Sequence, residues 1–301
     1  MKLTILGCHS GVPKENSQTT SQILEIGNGL FLIDCGEGTQ NQIRKKRIKF
    51  SRIKHIFISH LHGDHFFGLI GLISTFRLLG RTANLDIFGP KGIKEIITLQ
   101  LKHSKSWTNY DITFHELTSS KSEIIFENDF VEVFTIPLKH RIYTNGFLFR
   151  EKLGLRKIDM EKVDKYGILV SDYENLKKGK DLILNDGKII ENKFVTLPPS
   201  EPKSYAFCSD TIYDTGLVEI LNHVDVLYHE STFLDSHEEL AKLTKHSTAS
   251  DAAKIAKKAN VKSLILGHFS ARYKNKNEFL NEAKPYFDNV ELAEEGKIFL
   301  F

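Results

Sequence analysis

The chain has 301 residues, 41% hydrophobic and 26% charged, which suits one large domain or two ordinary ones and excludes disordered, collagenous and coiled-coil proteins. Lys plus Arg number 41 against 38 for Asp plus Glu, so a net charge of +3 does not by itself announce a nucleic-acid binder. Cys8, Cys35 and Cys208 cannot all pair and form no CxxC, which excludes a disulfide framework and fits a reducing compartment.

In chain order, the start MKLTILGCHSG lacks an h-region and cleavage site, so a cytoplasmic protein is expected. Strands are expected at Leu3 to Leu6, Gln22 to Ile26, Leu30 to Asp34 and Lys54 to Ser59, with a short exposed helix over Gly38 to Arg47. Phe66 to Leu79 is apolar over more than three turns and reads as a buried helix; its near-continuous apolar part, Phe66 to Phe76, is about half the length needed to span a bilayer, so no membrane association is expected. A strand at Asn84 to Phe88 and a helix at Gly92 to His103 follow, then strands at Ile112 to Leu117, Ile124 to Phe126 and Val131 to Pro137. Residues 141 to 204 carry many charges and weak periodicity; beyond them Ser204 to Cys208, Val224 to Tyr228 and Ser263 to Leu266 are short β runs. A helix over Ala249 to Ala259 has Thr248 or Ser247 as its cap. This alternation suggests sheets covered by helices on their outer faces.

The strongest chemical signal is Ser59-His60-Leu61-His62-Gly63-Asp64-His65, between a strand and a helix. Imidazole and carboxylate without thiolate suit a catalytic divalent-metal site. The alternate residues His60 and His62 can turn toward one ion while the adjacent pair Asp64 and His65 faces another, so the spacing suggests two metals. Further ligands should stand at other strand ends, where His140, Asp210 and His268 each follow an apolar run. A carboxylate has two oxygens to share, which makes Asp210 the candidate to bridge the ions.

With those residues in place, the sequence resembles the ribonuclease Z family, the tRNA 3′-processing endonucleases of the metallo-β-lactamase superfamily. LIDCGEGTQ (32–40), FISHLHGDHFFGLIGL (57–72), LYHESTF (227–233), KHSTASDAA (245–253) and LGHFSARY (266–273) carry the resemblance in wording and order. It implies a single αββα four-layer sandwich of the metallo-β-lactamase type over residues 1–301, with a flexible exosite arm inserted at about 141–204 that grips tRNA. It implies two Zn²⁺ per subunit, with Mn²⁺ or another divalent ion able to substitute. His60, His62 and His140 would hold one ion, Asp64, His65 and His268 the other, and Asp210 would bridge them. Asp64 matches the family's proton acceptor, and His246 with Glu230 its pair at the leaving group; Asp34 supports the metal loop, and His229 reads as structural. The implied reaction is removal of 3′ trailers from precursor tRNA, leaving a tRNA 3′-hydroxyl and a 5′-phosphate on the trailer. The implied assembly is a homodimer in which one subunit's arm serves the other's site.

Local charge agrees with an RNA substrate. Arg44 to Lys54 holds seven basic residues and no acid, and Arg150 to Lys180 holds nine basic and six acidic residues. Two departures stand out. The arm reads YGILVSDYENLKKGKDLIL where much of the family has a Gly-Pro-rich motif, and the early loop reads Val12-Pro13-Lys14-Glu15-Asn16-Ser17-Gln18 where it often has Lys-x-Arg-Asn. His9 stands where the family tends to be small. Two rival functions use the same residues: a phosphodiesterase or other hydrolase of small substrates on the same metal site, and an RNA-binding scaffold whose metals are structural.

Overall fold

The computed structural model describes residues 1–12, 17–184 and 187–301, which form two compact units, Met1–Arg150 with Lys203–Phe301, and Glu151–Pro202.

The larger unit is built on two seven-stranded sheets. The first comprises β1 (Lys2–Gly7), β2 (Ser21–Ile26), β3 (Gly29–Cys35), β4 (Ile53–Phe57), β5 (Leu85–Pro90), β6 (Ile112–Leu117) and the last strand of the chain, β14 (Ile298–Leu300). Their order is β14-β1-β2-β3-β4-β5-β6, antiparallel as far as β3 and parallel from β3 to β6. The second sheet comprises β7 (Ile124–Glu127), β8 (Val131–Leu138), β9 (Thr144–Glu151), β10 (Ser204–Cys208), β11 (Val226–Glu230), β12 (Ser263–Gly267) and β13 (Val290–Leu292), in the order β13-β12-β11-β10-β9-β8-β7. It too is parallel at one end, β10 to β13, and antiparallel where β9 meets β10.

The run LFLI in β3 is apolar at every position because both faces are covered. Phe31 and Ile33 point between the sheets, where Phe31 lies 5.7 Å from Phe149 and Phe57 lies 5.4 Å from both Phe147 and Phe149, centroid to centroid. Leu30 and Leu32 point the other way, into a cluster with Leu69, Leu72, Ile73 and Phe76 of the helix Gly68–Leu78 and Ile93, Ile97 and Leu101 of the helix Ile93–His103. Each buried Phe or Leu contributes about 1.5–3 kcal/mol. On the outer side of the second sheet, the helix Ala249–Lys258 presents Ala249, Ala252, Ala253 and Ala256 at i, i+3, i+4 and i+7, all buried. Thr248 caps it, accepting from Asp251 N while Asp251 accepts from Thr248 N. The result is the helix-sheet-sheet-helix layering that the resemblance implies.

Three expectations are corrected. The helix over Phe66 to Leu79 is interrupted at Phe67 into Gly63–Phe66 and Gly68–Leu78, and it is buried on one face only, with Phe67 and Leu78 57% and 83% exposed. Its approach to the first sheet needs Gly68, since a Cβ there would lie 2.1 Å from Gly36 O. Residues Thr144–Glu151, inside the weakly periodic interval, are a strand of the second sheet. Their polar Thr-Asn-Gly start disguised it, and the glycine is needed because a Cβ on Gly146 would meet Phe207 O at 2.2 Å.

The smaller unit has its own core of Ile168, Leu176, Leu182, Ile190 and Val195. Buried Asn192 ties it together, donating to Leu176 O at 2.8 Å and Lys180 O at 2.7 Å. Asp159 caps the helix Met160–Tyr166 by accepting from Glu161 N. Leu153, Leu155, Met160, Leu169, Val170 and Ile183 are exposed.

Candidate metal centre

All seven residues expected as metal ligands stand in the larger unit, five of them on loops that follow strands and Asp64 and His65 in the short helix Gly63–Phe66. Asp34, at the end of β3, takes φ 54° and spends both oxygens on the loop after β4. Oδ1 accepts from Ser59 N at 2.7 Å, and Oδ2 accepts from Ser59 Oγ at 2.8 Å and from His65 Nδ1 at 2.7 Å. The loop carrying His60 to His65 is thus anchored before any ligand is placed.

The donor atoms converge in two groups. His60 Nε2 lies 3.0 Å from His62 Nδ1, which lies 3.3 Å from His140 Nε2. His65 Nε2 lies 3.2 Å from His268 Nε2, and Asp64 Oδ2 lies 3.5 and 3.4 Å from these two nitrogens. Asp210 stands between the groups. Its Oδ2 faces His60 Nε2 at 3.4 Å and His140 Nε2 at 3.7 Å, and its Oδ1 faces His65 Nε2 at 3.2 Å and His268 Nε2 at 3.1 Å. Asp210 and His268 take φ 61° and 59°, the left-handed backbone that Asp and His adopt more readily than most residues.

The far nitrogens of four imidazoles are engaged, His60 Nδ1 lying 3.0 Å from Ser59 Oγ. His140 Nδ1 donates to Lys245 O at 2.9 Å, His65 Nδ1 to Asp34, and His268 Nδ1 to Thr232 Oγ1 at 2.8 Å. A carbonyl only accepts, so the His140 proton sits on Nδ1 and the Nε2 lone pair faces the cluster; the same polarity for His268 aims a second lone pair inward, and His65 would offer a third once its Nε2 gives up its proton. Burial, and next His65, lower His60; burial first takes His62 and His140 down to about 4, so the latter two rings are neutral at pH 7. Burial opposes the charge on Asp64 and Asp210, but the surrounding imidazoles hold both carboxyls well below the usual range. Burial also opposes a charge on His65, yet Asp210, Asp64 and Asp34 outweigh it and raise this ring. Convergent lone pairs and an excess of buried carboxylate are what divalent cations neutralise, so the donor set fits two of them.

His246 and Glu230 come together beside this cluster. His246 Nδ1 lies 2.7 Å from Glu230 Oε1, which also accepts from Thr211 N at 2.9 Å. Glu230 Oε2 accepts from Thr232 N at 3.1 Å and Thr232 Oγ1 at 2.6 Å. Burial opposes ionisation of both groups, but their mutual attraction takes Glu230 down to about 2 and His246 up to about 9. His229 faces away: its Nδ1 donates to Glu230 O at 2.7 Å.

Sequence reasoning missed Ser59, Thr232 and Gly11, whose N–H donates to Asp64 Oδ2 at 2.8 Å. Thr232 stands two residues after Glu230 in HEST, and a hydroxyl so close to a buried carboxylate was the available signal. Gly11 acts through its backbone and left no side-chain signal. Gly11 and Thr232, together with Arg141, His246 and Ser270, line a cleft of about 230 Å³. Residues 13–16 of the early loop lie outside the described residues. In the basic run, Arg44, Lys45, Arg47, Lys49, Arg52 and Lys54 are exposed.

A family model described as anti-Pycsar protein Apyc1 matches residues 1–159. Ribonuclease Z of Bacteroides fragilis is 48% identical over 295 residues, covering 98% of this chain and 97% of that protein. Among solved structures, the short form of human tRNase Z superposes with a TM-score of 0.72 at 27% identity, covering 100% of this chain and 99% of that one. The metallo-β-lactamase fold protein YhfI of Bacillus subtilis superposes at 0.69 with 17% identity, covering 99% and 98%, a likeness of fold.

Proposed function

The chain belongs to the ribonuclease Z family, with its first 159 residues also matching the Apyc1 family model, and from that premise we propose that it removes 3′ trailers from precursor tRNA by two-metal hydrolysis. It is a tRNA 3′ endonuclease of metallo-β-lactamase fold. The observation that carries the two-metal reading is Asp210, whose two oxygens divide between two groups of imidazoles. His60, His62 and His140 would hold one zinc ion, Asp64, His65 and His268 the other, and Asp210 both; manganese suits the same donors. When bound, such ions supply Lewis acidity toward the phosphoryl group and toward water.

The protein's own groups divide the proton work. Asp64, oriented by the Gly11 N–H, accepts the proton of the attacking water. His246, held as the cation by Glu230, gives a proton to the departing 3′-oxygen. Water attacks phosphorus, the bond to the 3′-oxygen breaks, and the phosphate leaves on the trailer, so the tRNA ends in a 3′-hydroxyl. The exposed basic run Arg44 to Lys54 and the unit Glu151–Pro202, as an exosite arm, supply contacts for the RNA backbone. The active assembly in this reading is a homodimer in the cytoplasm, and among the described residues no helix is long and apolar enough to cross a membrane.

Incubation with a 3′-extended tRNA, with and without chelator, and with mapping of both new ends, tests the proposal. Metal-dependent release of a 5′-phosphorylated trailer is expected. Hydrolysis of a small phosphodiester without tRNA cleavage would replace it with the small-substrate reading, and binding without cleavage with the scaffold reading.

A further inference from the structure

One largely buried cluster is not used by this chemistry: Cys8 and His9, both buried, and the half-buried Glu295. As the chain leaves β1, Cys8 N and His9 N both donate to Gln18 O at 3.1 Å, closing the neck of the loop between them. A single carboxylate oxygen sits on that neck. Glu295 Oε1 lies 3.0 Å from His9 Nδ1 and accepts from Gln18 N at 3.2 Å, so it holds the first and last residues of the loop at once. The loop is also fastened to the residue after His268: Phe269 N donates to Cys8 O and Ser10 N to Phe269 O, both at 3.1 Å. Two residues beyond His9, Gly11 at φ 63° directs its N–H to Asp64 Oδ2.

A metal site at the cluster is the rival use, and the contacts weigh against it. Cys8 Sγ already donates to Ala293 O at 3.4 Å, and the Lys276 ammonium stands 3.9 Å from the sulfur, where it supplies the positive charge.

We propose that His9 and Glu295 are positioning residues, which clamp the neck of the loop so that the Gly11 amide stays on the Asp64 carboxylate. The proposal rests on the hydrolytic reading of the metal centre. It gives a role to His9, which neither ligation nor proton transfer absorbs. Glu295 lies on the C-terminal loop, far in sequence from His9, Gln18 and Gly11.

The test uses the full chain with Glu295→Ala, Glu295→Gln, His9→Ala and the His9/Glu295 double alanine variant. Turnover of bis(p-nitrophenyl) phosphate and of 3′-extended tRNA is measured, and exchange of the Gly11 amide is followed by proton–nitrogen NMR. Glu295→Ala is expected to lower kcat about 10- to 100-fold on both substrates, with KM for the ester within about two-fold. Glu295→Gln keeps the acceptor oxygen and should stay within about three-fold of wild type, and the double variant should be no worse than the worse single one. Gly11 exchange should accelerate in Glu295→Ala and not in Glu295→Gln. Unchanged Gly11 exchange, unchanged kcat in Glu295→Ala, or additive losses in the double variant would each overturn the clamp. Failure of the wild-type protein to cleave tRNA would instead count against the nuclease reading, because amide exchange reports the clamp independently of turnover.

Discussion

Glu230 holds His246 through a 2.7 Å contact from Oε1 to Nδ1 while the same carboxylate accepts from Thr211 and Thr232. The ring is therefore fixed in orientation and held as a cation beside the cluster. If it protonates the leaving oxygen, its value depends on how poor the leaving group is. His246→Ala should lower kcat on 3′-extended tRNA by about 10²- to 10⁴-fold, and on bis(p-nitrophenyl) phosphate, whose leaving group is stable as an anion, by less than about ten-fold. Equal losses on the two substrates would remove His246 from the role of proton donor.

Asp210 offers one oxygen to each group of imidazoles, so its loss should be felt by both ions. Asp210→Ala is expected to reduce bound zinc from about two per chain to one or none after dialysis, and Thr232→Val, which removes the acceptor of His268 Nδ1, to weaken binding about 10- to 100-fold. Elemental analysis and chelator competition measure both. Retention of two ions by Asp210→Ala would show that the carboxylate does not bridge.

Arg150 and Ser204 are paired on adjacent strands, so the unit between them can be replaced by a short Gly-Ser linker without straining the sheet. The shortened protein should hydrolyse the small ester at the wild-type rate. Its tRNA affinity should fall by at least about ten-fold, with a shallower salt dependence. Equal losses on ester and tRNA would contradict an exosite role for 151–202.

Asp225 binds Ser204 N and Oγ at 2.8 Å and Lys262 Nζ at 2.8 Å, joining the starts of β10 and β12. Burial raises its pKa, but the bonds from Lys262 and Ser204 outweigh this and hold the carboxyl below its usual range. A lowered folded-state pKa stabilises above the unfolded value, about 3.9, and that contribution disappears as pH falls through the folded value. Asp225→Asn should therefore be less stable than wild type by the same margin at pH 7 and pH 5, and the margin should shrink below about pH 4. Urea unfolding at each pH measures it, and a margin already closing at pH 5 would refute the assignment.

The candidate metal loop was legible because its chemistry is local: four potential donors lie from His60 to His65. The distant candidates His140, Asp210 and His268, which the fold brings to the same cluster, were legible because each stands where an apolar run stops, a position that the fold turns into a strand end. The strand at Thr144–Glu151 was hidden by its polar start, and β13 and β14 are only three residues each, too short for a period of two to register. The clamp on the early loop was not legible at all, since Gly11 contributes a backbone N–H and Glu295 lies 286 residues from His9. Side-chain identity reveals ligands, whereas amides and long-range pairings need the fold.

The left-handed backbone of Asp34, Asp210 and His268 narrows what could ever occupy those places. An L residue at positive φ is tolerated mainly when it is Asn, Asp or His, and of these only Asp and His bring a strong ligand or an ionised acceptor. Glutamate has the right charge but not the backbone tolerance, and glycine the reverse. A library randomised at the three sites and selected for metal retention should therefore return almost no Glu, Cys or Gln, although those residues ligate metals well elsewhere. The geometry of the turn, as much as the coordination chemistry, determines which amino acids can build this centre.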